Sequence, residues 1–317
     1  MMLLKLTPCM RFCGVARAAM LAVAVACGGG AARCVGASLI QNFAAASNDR
    51  FANDAAFIGS GLDWSGVGRS SDGHWGTMLT PTVFLSASHY HPGVGSVMSF
   101  FPGNDPGATA VARSVASGQR IGTSDLWVGF LSTAVPASIT SYEFAQVTLT
   151  EATFAASGLS DLLVFMGGLT PTATGYGAAT TTVQTVGSNR LEGFFEDATD
   201  DGHVAIGDIL ATVQNLAGDG SFGFTHSGFE AQLQGGDSGS PLMMLADGRL
   251  VLAGIAWAIG TTDIDPDPTG VAARPITAFT YTGSYAGELL SIIPEPGVGV
   301  LALLAGAVLA LRRGRGR

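Results

Sequence analysis

Short apolar runs of strand length, separated by turn residues, recur through the middle of the chain and restrict its fold more than any other feature. The stretch GTMLTPTVFLSASHY (76–90) predicts a strand, a Thr-Pro turn and a second strand. The runs GSVMSFFPGNDPG (95–107), DLWVGFLS (125–132) and RLVLAGIAWAIG (249–260) predict further strands. The 45 glycines in 317 residues suit many turns, and a helical pattern is found late, in GSYAGELLSII (283–293). We therefore predict an all-β chain with a closing helix.

Residues 1–37 have the pattern of an export signal. Three basic residues precede the apolar run AAMLAVAVA (18–26), and small residues follow as far as CVGA (34–37). This order predicts cleavage by signal peptidase after Ala37, so that the mature chain begins near Ser38. A buried N-terminal helix is the alternative interpretation. From residue 38 to residue 60 the chain is rich in alanine with spaced phenylalanines, which predicts a short helix or a pro-segment.

The C-terminal segment, residues 294–317, consists of Pro-Glu-Pro, an apolar run from Gly297 to Leu311, and four arginines. The run is short for a stable membrane span, and the arginines would stay on the cytoplasmic side. This order resembles the PEP-CTERM sorting tail of exported bacterial proteins, which implies membrane contact and recognition by an exosortase-type processing enzyme. An ordinary tail anchor is the alternative. Both interpretations place the protein outside the cytoplasm, in the cell envelope, at the cell surface or in the medium.

Charge and cysteine content restrict the partners of the region between these two ends. Seven of the 15 Lys and Arg residues and 23 of the 24 Asp and Glu residues lie there, so its net charge is near −16. Such a charge repels nucleic acid and anionic membrane surfaces, and no nucleic-acid partner is predicted. All four cysteines lie within residues 1–37, so the mature domain can form no disulfide and must be stabilised by its core.

The loop QGGDSGSPL (234–242) carries the strongest chemical signal. Glycine accepts backbone angles that other residues avoid and leaves neighbouring amide groups uncovered. A serine in such a loop is exposed, and the surrounding N–H groups can stabilise a developing oxyanion. Ser238 is therefore a candidate nucleophile for acyl transfer. A glycine-rich turn without chemistry is the alternative.

A serine nucleophile needs a base, and the base needs an orienting acid. His89 follows the apolar strand VFLSA, where its side chain would project from the rim of a sheet. Asp125 stands at the head of the apolar run DLWVGFLS, where a carboxylate needs a partner to offset its desolvation. His89 is therefore the candidate base and Asp125 the candidate acid.

These three segments together resemble the chymotrypsin-like serine proteases. LSASHY (85–90) is similar to the family's Thr-Ala-Ala-His-Cys box, SDLWVGFL (124–131) to its Asp-Ile-Ala-Leu-Leu strand, and GGDSGSPL (235–242) to its Gly-Asp-Ser-Gly-Gly-Pro loop. The order of His, Asp and Ser is also the family's. The resemblance implies two consecutive six-stranded antiparallel β-barrels, the first within residues 61–145 and the second, with the closing helix, within residues 146–293.

The resemblance also implies roles for single residues. Ser238 would attack the peptide carbonyl, His89 would act as general base and then acid, and Asp125 would orient the imidazole. The backbone N–H groups of Gly236 and Ser238 would form the oxyanion hole. Gln232 and Trp257 occupy positions of the substrate pocket, and Gln232 stands where trypsins carry an aspartate, so a preference for Lys or Arg is not supported there.

The expected function is therefore an exported bacterial serine endopeptidase that acts on protein or peptide substrates without a cofactor. The family's usual new N-terminus is missing, and FIGSG (57–61) is only a faint echo of it. A His-x-His metal pair formed by His89 and His91 is a weaker interpretation, since no third ligand stands out, and no metal is predicted. The alternative function is a catalytically silent surface or matrix protein that binds peptide in the same cleft.

Overall fold

Two antiparallel sheets contain most of the regular structure of the chain in the computed structural model. The structure describes residues 40–157, 159, 163–169, 184–199, 205–214, 228–262 and 274–293, together with a small strand pair, β1 (Met2–Leu3) and β2 (Ala24–Val25). Apart from that pair, the predicted signal peptide lies outside the described residues. The predicted sorting tail, residues 294–317, lies outside them as well.

The first sheet is a closed six-stranded barrel. Its strands are paired in the order β3-β4-β5-β8-β7-β6, and pairing of β3 with β6 closes the ring. This finding confirms the first of the two predicted barrels. The strands are β3 (Val67–Ser70), β4 (Trp75–Thr80), β5 (Val83–Ala87), β6 (Val97–Phe100), β7 (Val111–Arg120) and β8 (Leu126–Leu131).

Strand β5 is buried on both faces, which explains its nearly continuous apolar sequence. Side chains alternate between the faces of a strand. Phe84 packs inside the barrel against Met98 and Trp127, whereas Val83 and Leu85 belong to a second apolar cluster outside it. A polar side chain in this strand needs a partner within the protein, as Ser86 has in the Trp75 carbonyl oxygen.

The second sheet contains seven strands in the order β10-β9-β13-β14-β15-β12-β11. Its hydrogen bonding is not closed into a ring, so the predicted second six-stranded barrel is not confirmed, whereas the all-β class is. The strands are β9 (Leu163–Leu169), β10 (Thr185–Arg190), β11 (Gly193–Thr199), β12 (Ala205–Val213), β13 (Pro241–Ala246), β14 (Arg249–Thr262) and β15 (Arg274–Tyr281).

Helical segments are short. Helix α1 (Ala45–Asn48) and a 3-10 turn (Arg50–Ala52) lie in the N-terminal segment, and α2 (Glu151–Ser157), which we did not predict, precedes the second sheet. The predicted closing helix is present as a 3-10 turn (Gly283–Tyr285) followed by α3 (Ala286–Ile292). No helix in the described ranges combines the length and the apolar character that crossing a bilayer requires.

The barrel and the second sheet share one apolar core. This cluster joins Val83 and Leu85 of β5 to Phe165 of β9 and Ile255 of β14, and Leu289 of the closing helix packs into it. Burial of such contiguous apolar surface holds the two sheets against each other. Loops that lie where the barrel meets the second sheet therefore have the barrel on one side and the second sheet on the other.

The segment predicted as a short helix or pro-segment is built into this body. Ile40 forms an antiparallel bridge with Ala231, and Asp49 forms one with Thr185. The side chain of Arg50 is fully buried and donates to the Phe101 carbonyl oxygen of the barrel and to Gln184 before β10. The N-terminal segment thus connects the two sheets.

Candidate active site

Pairing of β5 with β8 brings His89 and Asp125 together. The two strands are antiparallel, and Ala87 at the end of β5 lies opposite Leu126 at the start of β8. The Ser88 N–H extends this ladder by donating to the Asp125 carbonyl oxygen at 2.7 Å. Ser88 therefore lies opposite Asp125, and His89 is the next residue along the chain. The histidine and the acid are neighbours because of this strand register, although they are 36 positions apart in the sequence.

Asp125 accepts two hydrogen bonds from His89. The backbone N–H of His89 donates to Oδ1 at 2.9 Å, and the ring atom Nδ1 lies 2.7 Å from Oδ2. The Asp125 side chain is 8% exposed and that of His89 is 35% exposed. With the carboxylate ionised, Nδ1 carries the ring hydrogen and Nε2 presents its lone pair outward.

Ser238 occupies that outward position. Its Oγ lies 2.9 Å from His89 Nε2. The serine precedes β13, and the loop is fixed to β14 by two hydrogen bonds, from Gly239 N–H to the Ala256 carbonyl oxygen (3.0 Å) and from Ala256 N–H to the Ser240 carbonyl oxygen (2.9 Å). The three predicted residues therefore form one hydrogen-bonded line, with the acid and the histidine on the barrel and the serine on the second sheet.

Gly239 lets the serine loop approach the barrel closely. Its φ of 87° lies in the region that favours glycine, and a Cβ atom there would lie 2.6 Å from Ser86 Oγ of β5. Ser86 Oγ itself donates to the Trp75 carbonyl oxygen at 2.7 Å. Only a residue without a side chain fits between the loop and this part of the barrel wall.

The amide groups flanking the nucleophile are available to a ligand. Gly236 has a φ of 97°, and among the hydrogen bonds of the described residues neither its N–H nor that of Ser238 has an acceptor. Other groups of the loop are paired: Gln234 N–H donates to Asp237 Oδ2 at 2.8 Å, and Ser240 N–H donates to the Asp237 carbonyl oxygen at 3.0 Å. The loop is thus fixed while two donors remain open.

Two barrel residues that the sequence interpretation missed support this loop. Trp75 Nε1 donates to the Gly236 carbonyl oxygen at 3.1 Å. The guanidinium carbon of Arg69, a residue 3% exposed on β3, lies 4.8 Å from the centroid of the Trp75 ring. The sequence signal for this support is Arg69 itself, because the other residues of the strand VGRS (67–70) are apolar or small.

The two predicted pocket residues differ in burial. Gln232 is half-buried, whereas Trp257 is 8% exposed and belongs to an apolar cluster of the second sheet. Trp257 lies at a shift in the register between β14 and β15, where Ala256 pairs with Phe279 and Ala258 with Ala278. Such a bulge redirects one side chain relative to its neighbours.

His91 does not join His89 in a chelating pair. Its ring stacks on Trp127 with a centroid distance of 4.2 Å and an interplanar angle of 9°. In the part of the chain that the structure describes, no three His, Cys, Asp or Glu side chains are grouped as a metal ion would require. The second imidazole is engaged in aromatic packing.

The arrangement supports proton transfer from the Ser238 hydroxyl to the imidazole, with Asp125 stabilising the imidazolium that forms. No family model matches the chain, and no curated protein matches it either. The function must therefore be inferred from the residues and the geometry of the site.

Proposed function

We propose that the protein is a serine endopeptidase that hydrolyses peptide bonds through an acyl-enzyme. The observation that carries this proposal is the line from Asp125 Oδ2 to His89 Nδ1 at 2.7 Å and from His89 Nε2 to Ser238 Oγ at 2.9 Å. A base within hydrogen-bonding distance of the nucleophile, itself oriented by a carboxylate, is the requirement for serine catalysis at neutral pH.

In the first half of the reaction, Ser238 Oγ attacks the carbonyl carbon and its proton passes to His89 Nε2. Asp125 stabilises the resulting imidazolium, and the negative charge on the former carbonyl oxygen is stabilised by the N–H groups of Gly236 and Ser238. The C–N bond then breaks, and His89 donates its proton to the leaving amine. An ester between Ser238 and the acyl part of the substrate remains.

In the second half, water replaces the amine. His89 Nε2 accepts a proton from the water as its oxygen attacks the ester carbon, and the same proton is returned to Ser238 Oγ when the ester breaks. The products are a carboxylic acid and the free serine. The steps use only groups of the chain and water, and the proposal includes no cofactor.

The proposal extends to family and fold. We infer a chymotrypsin-like protease in which the second sheet is a distorted relative of the second barrel. Its edge strand β10 approaches β12 through Asn189, whose Nδ2 donates to the Val213 carbonyl oxygen at 3.1 Å and to the Ala231 carbonyl oxygen at 3.0 Å. The bond to Val213 brings the β10 edge of the sheet close to β12, the strand beside the other edge, without the ladder hydrogen bonds of a closed barrel.

The setting is also proposed from the sequence. The export signal and the PEP-CTERM-like tail support a bacterial envelope or extracellular protein that signal peptidase and an exosortase-type enzyme process. The uncharged Gln232 at the position of the trypsin aspartate gives no support for a preference for Lys or Arg. The proposed substrate class is therefore peptide or protein, without a basic preference set at this position.

Labelling with a fluorophosphonate probe tests the nucleophile directly. The full chain is expected to be labelled at Ser238 and to hydrolyse casein, and Ser238→Ala is expected to abolish both. Ser240→Ala is the matched control, because Ser240 lies in the same loop, is fully buried, and its hydroxyl has no hydrogen-bond partner among the described residues. That variant is expected to keep both properties.

Two results would count against the proposal. Equal casein hydrolysis by wild type and Ser238→Ala would remove Ser238 from the mechanism. A folded wild type that takes up no probe would favour the catalytically silent binding protein instead.

A further inference from the structure

Asp125 is the last residue of the turn that joins β7 to β8. Strand β7 ends at Arg120, and β8 begins directly after Asp125. Within the turn, Ser124 donates twice to the Ile121 carbonyl oxygen, from its N–H at 3.0 Å and from its Oγ at 2.7 Å. The position of the candidate acid is therefore set by how this compact turn is held.

The backbone of Asp125 is hydrogen-bonded to both sheets. Its carbonyl oxygen accepts the N–H of Ser88, directly after β5, at 2.7 Å. Its own N–H donates to the carbonyl oxygen of Ile206 on β12, in the second sheet, at 3.0 Å. Ser238 is part of that second sheet's loop. The acid is therefore a residue of the barrel that is also bound to the sheet carrying the nucleophile.

The carboxylate itself provides no further anchor. Among the hydrogen bonds of the described residues, both bonds to the Asp125 carboxylate come from His89, one from its N–H and one at its ring. A carboxylate whose partner is the group that it must orient cannot be positioned by that partner alone. The main chain of the turn has to hold it.

Arg120 holds this turn with its side chain. Nε donates to the Ser124 carbonyl oxygen at 2.5 Å, and Nη2 donates to the carbonyl oxygens of Thr123 and Ala205, the latter at 2.8 Å. Ala205 directly precedes the residue that accepts the Asp125 N–H, so this bridge runs beside the backbone bond from the turn to β12. A planar guanidinium has several donors in fixed directions, and a charged donor forms hydrogen bonds about twice as strong as a neutral one.

We propose that Arg120 is a positioning residue for catalysis: its guanidinium holds the turn that carries Asp125 on β12 and so fixes the acid, and through it His89, relative to Ser238. This inference rests on the proposed function. Misplacing a catalytic group by about 1 Å can cost about 100-fold in rate, so a bridge that sets this position has a measurable effect.

Arg120→Met in the full chain tests the proposal. The variant is expected to lower kcat about tenfold, because the turn is released from β12 and the acid is held less precisely. KM is expected to change by less than about threefold, since the acid acts mainly in the transition state. Arg120→Lys keeps a charged donor that can reach fewer of these carbonyl groups together, and it is expected to retain more kcat than Arg120→Met.

Arg113→Met is the matched control. Arg113 lies on the same strand, β7, and also donates to backbone carbonyl oxygens, that of Ala134 at 2.9 Å and that of Ala112 at 2.8 Å. Neither acceptor lies in the second sheet. This variant is therefore expected to leave kcat and fluorophosphonate labelling unchanged.

A double-mutant cycle with Asp125→Asn separates positioning of the acid from general stability. Adding Arg120→Met to Asp125→Asn is expected to lower the remaining kcat by less than about twofold, because Arg120 acts through the carboxylate that has been replaced. A purely structural loss would lower kcat by the same factor in both backgrounds. Urea unfolding is expected to show the same loss of stability from Arg120→Met in both backgrounds.

Amide hydrogen exchange measured by NMR follows the bridge independently of activity. The Asp125 N–H is expected to exchange at least about tenfold faster in Arg120→Met than in wild type, because its bond to Ile206 opens more often. The N–H of Leu131, the last residue of β8, donates to the Thr82 carbonyl oxygen at 2.8 Å and is expected to keep its wild-type rate.

Each remaining outcome decides the inference. A kcat of Arg120→Met close to that of wild type, an equal loss in Arg113→Met, or independent effects of Arg120→Met and Asp125→Asn overturns it. If Arg120→Met does not fold, Arg120→Lys takes its place in the cycle, and a wild-type kcat or independent effects there overturn the inference. If the wild type has no activity, the proposed function fails, while exchange of the Asp125 N–H still decides whether Arg120 holds the turn: unchanged exchange would show that it does not.

Discussion

Asp125 holds His89 by two atoms at once, accepting its backbone N–H at Oδ1 and facing its ring at Oδ2. One oxygen fixes the position of the main chain and the other fixes the orientation of the imidazole. The second interaction also selects the tautomer that leaves Nε2 free for the Ser238 proton. The acid therefore sets geometry as well as charge.

Replacing Asp125 with asparagine is expected to lower kcat about 10⁴-fold, because the amide can hold the imidazole in the wrong tautomer. KM and the circular dichroism spectrum are expected to stay close to those of wild type. Asp72→Asn is the matched control, since Asp72 also lies beside a histidine, with Oδ1 at 3.1 Å from His74 Nδ1, but has no hydrogen bond to His89 or Ser238 among the described residues. Steady-state kinetics check both variants, and similar losses of kcat would contradict a special role for Asp125.

Alanine at Gly239 is expected to abolish most of the activity, because its Cβ would meet Ser86 Oγ at 2.6 Å and displace the serine loop from the barrel. Gly248→Ala is the control, since Gly248 also has a positive φ, 74°, but has no atom within 4 Å of an added Cβ. Both substitutions carry a backbone cost of about 1–2 kcal/mol in unfolding free energy. Only Gly239→Ala is expected to reduce fluorophosphonate labelling, and equal labelling of the two variants would rule out the close approach as a requirement.

The sequence predicts the strands around the site because each is a dense apolar run bounded by turn residues. β5 and β8 could be found in this way, and with them the positions of His89 and Asp125. The support from Trp75 could not, because its indole Nε1 donates to the Gly236 carbonyl oxygen across 161 residues of sequence. No local pattern encodes that distance.

The parts of the fold that differ from the prediction also have physical reasons. Helix α2 is short and contains one buried residue, Phe154, so its sequence lacks the repeated apolar spacing of an amphipathic helix. The second sheet was expected to close like the first. Its edge strand β10 instead meets β12 through the Asn189 side chain, an interaction that strand patterns do not reveal.

Alkaline pH is expected to destabilise the fold through Tyr281. Burial raises the pKa of this phenol to about 12 from an ordinary 10.0, and its hydroxyl donates to the Val147 carbonyl oxygen at 2.7 Å. Between pH 10 and 12 the unfolded chain releases a proton that the folded chain keeps, so the free energy of unfolding falls as pH rises, by at most about 1.4 kcal/mol per pH unit. Tyr281→Phe lacks this contribution, whereas burial raises the pKa values of Tyr142 and Tyr285 in both proteins. Urea unfolding at pH 8 and pH 11 checks it, and a stability difference between the two proteins that is the same at both pH values would contradict it.

Arg50 is expected to be the most sensitive position of the N-terminal segment. Burial lowers its pKa to about 10, and its guanidinium donates to four neutral oxygens, on Phe101, Gly103, Asn104 and Gln184. Lysine cannot reach these acceptors together, because its ammonium is a single point on a flexible stem.

Arg50→Lys is therefore expected to lower the free energy of unfolding by about 3 kcal/mol. Arg113→Lys, at an exposed arginine that donates to the Ala134 carbonyl oxygen at 2.9 Å, is expected to cost less than about 0.5 kcal/mol. Urea unfolding measures both. Similar values for the two variants would mean that the segment does not stabilise the junction of the sheets, and a large loss confined to Arg50 would identify residues 40–58 as a permanent part of the folded domain and not a removable pro-segment.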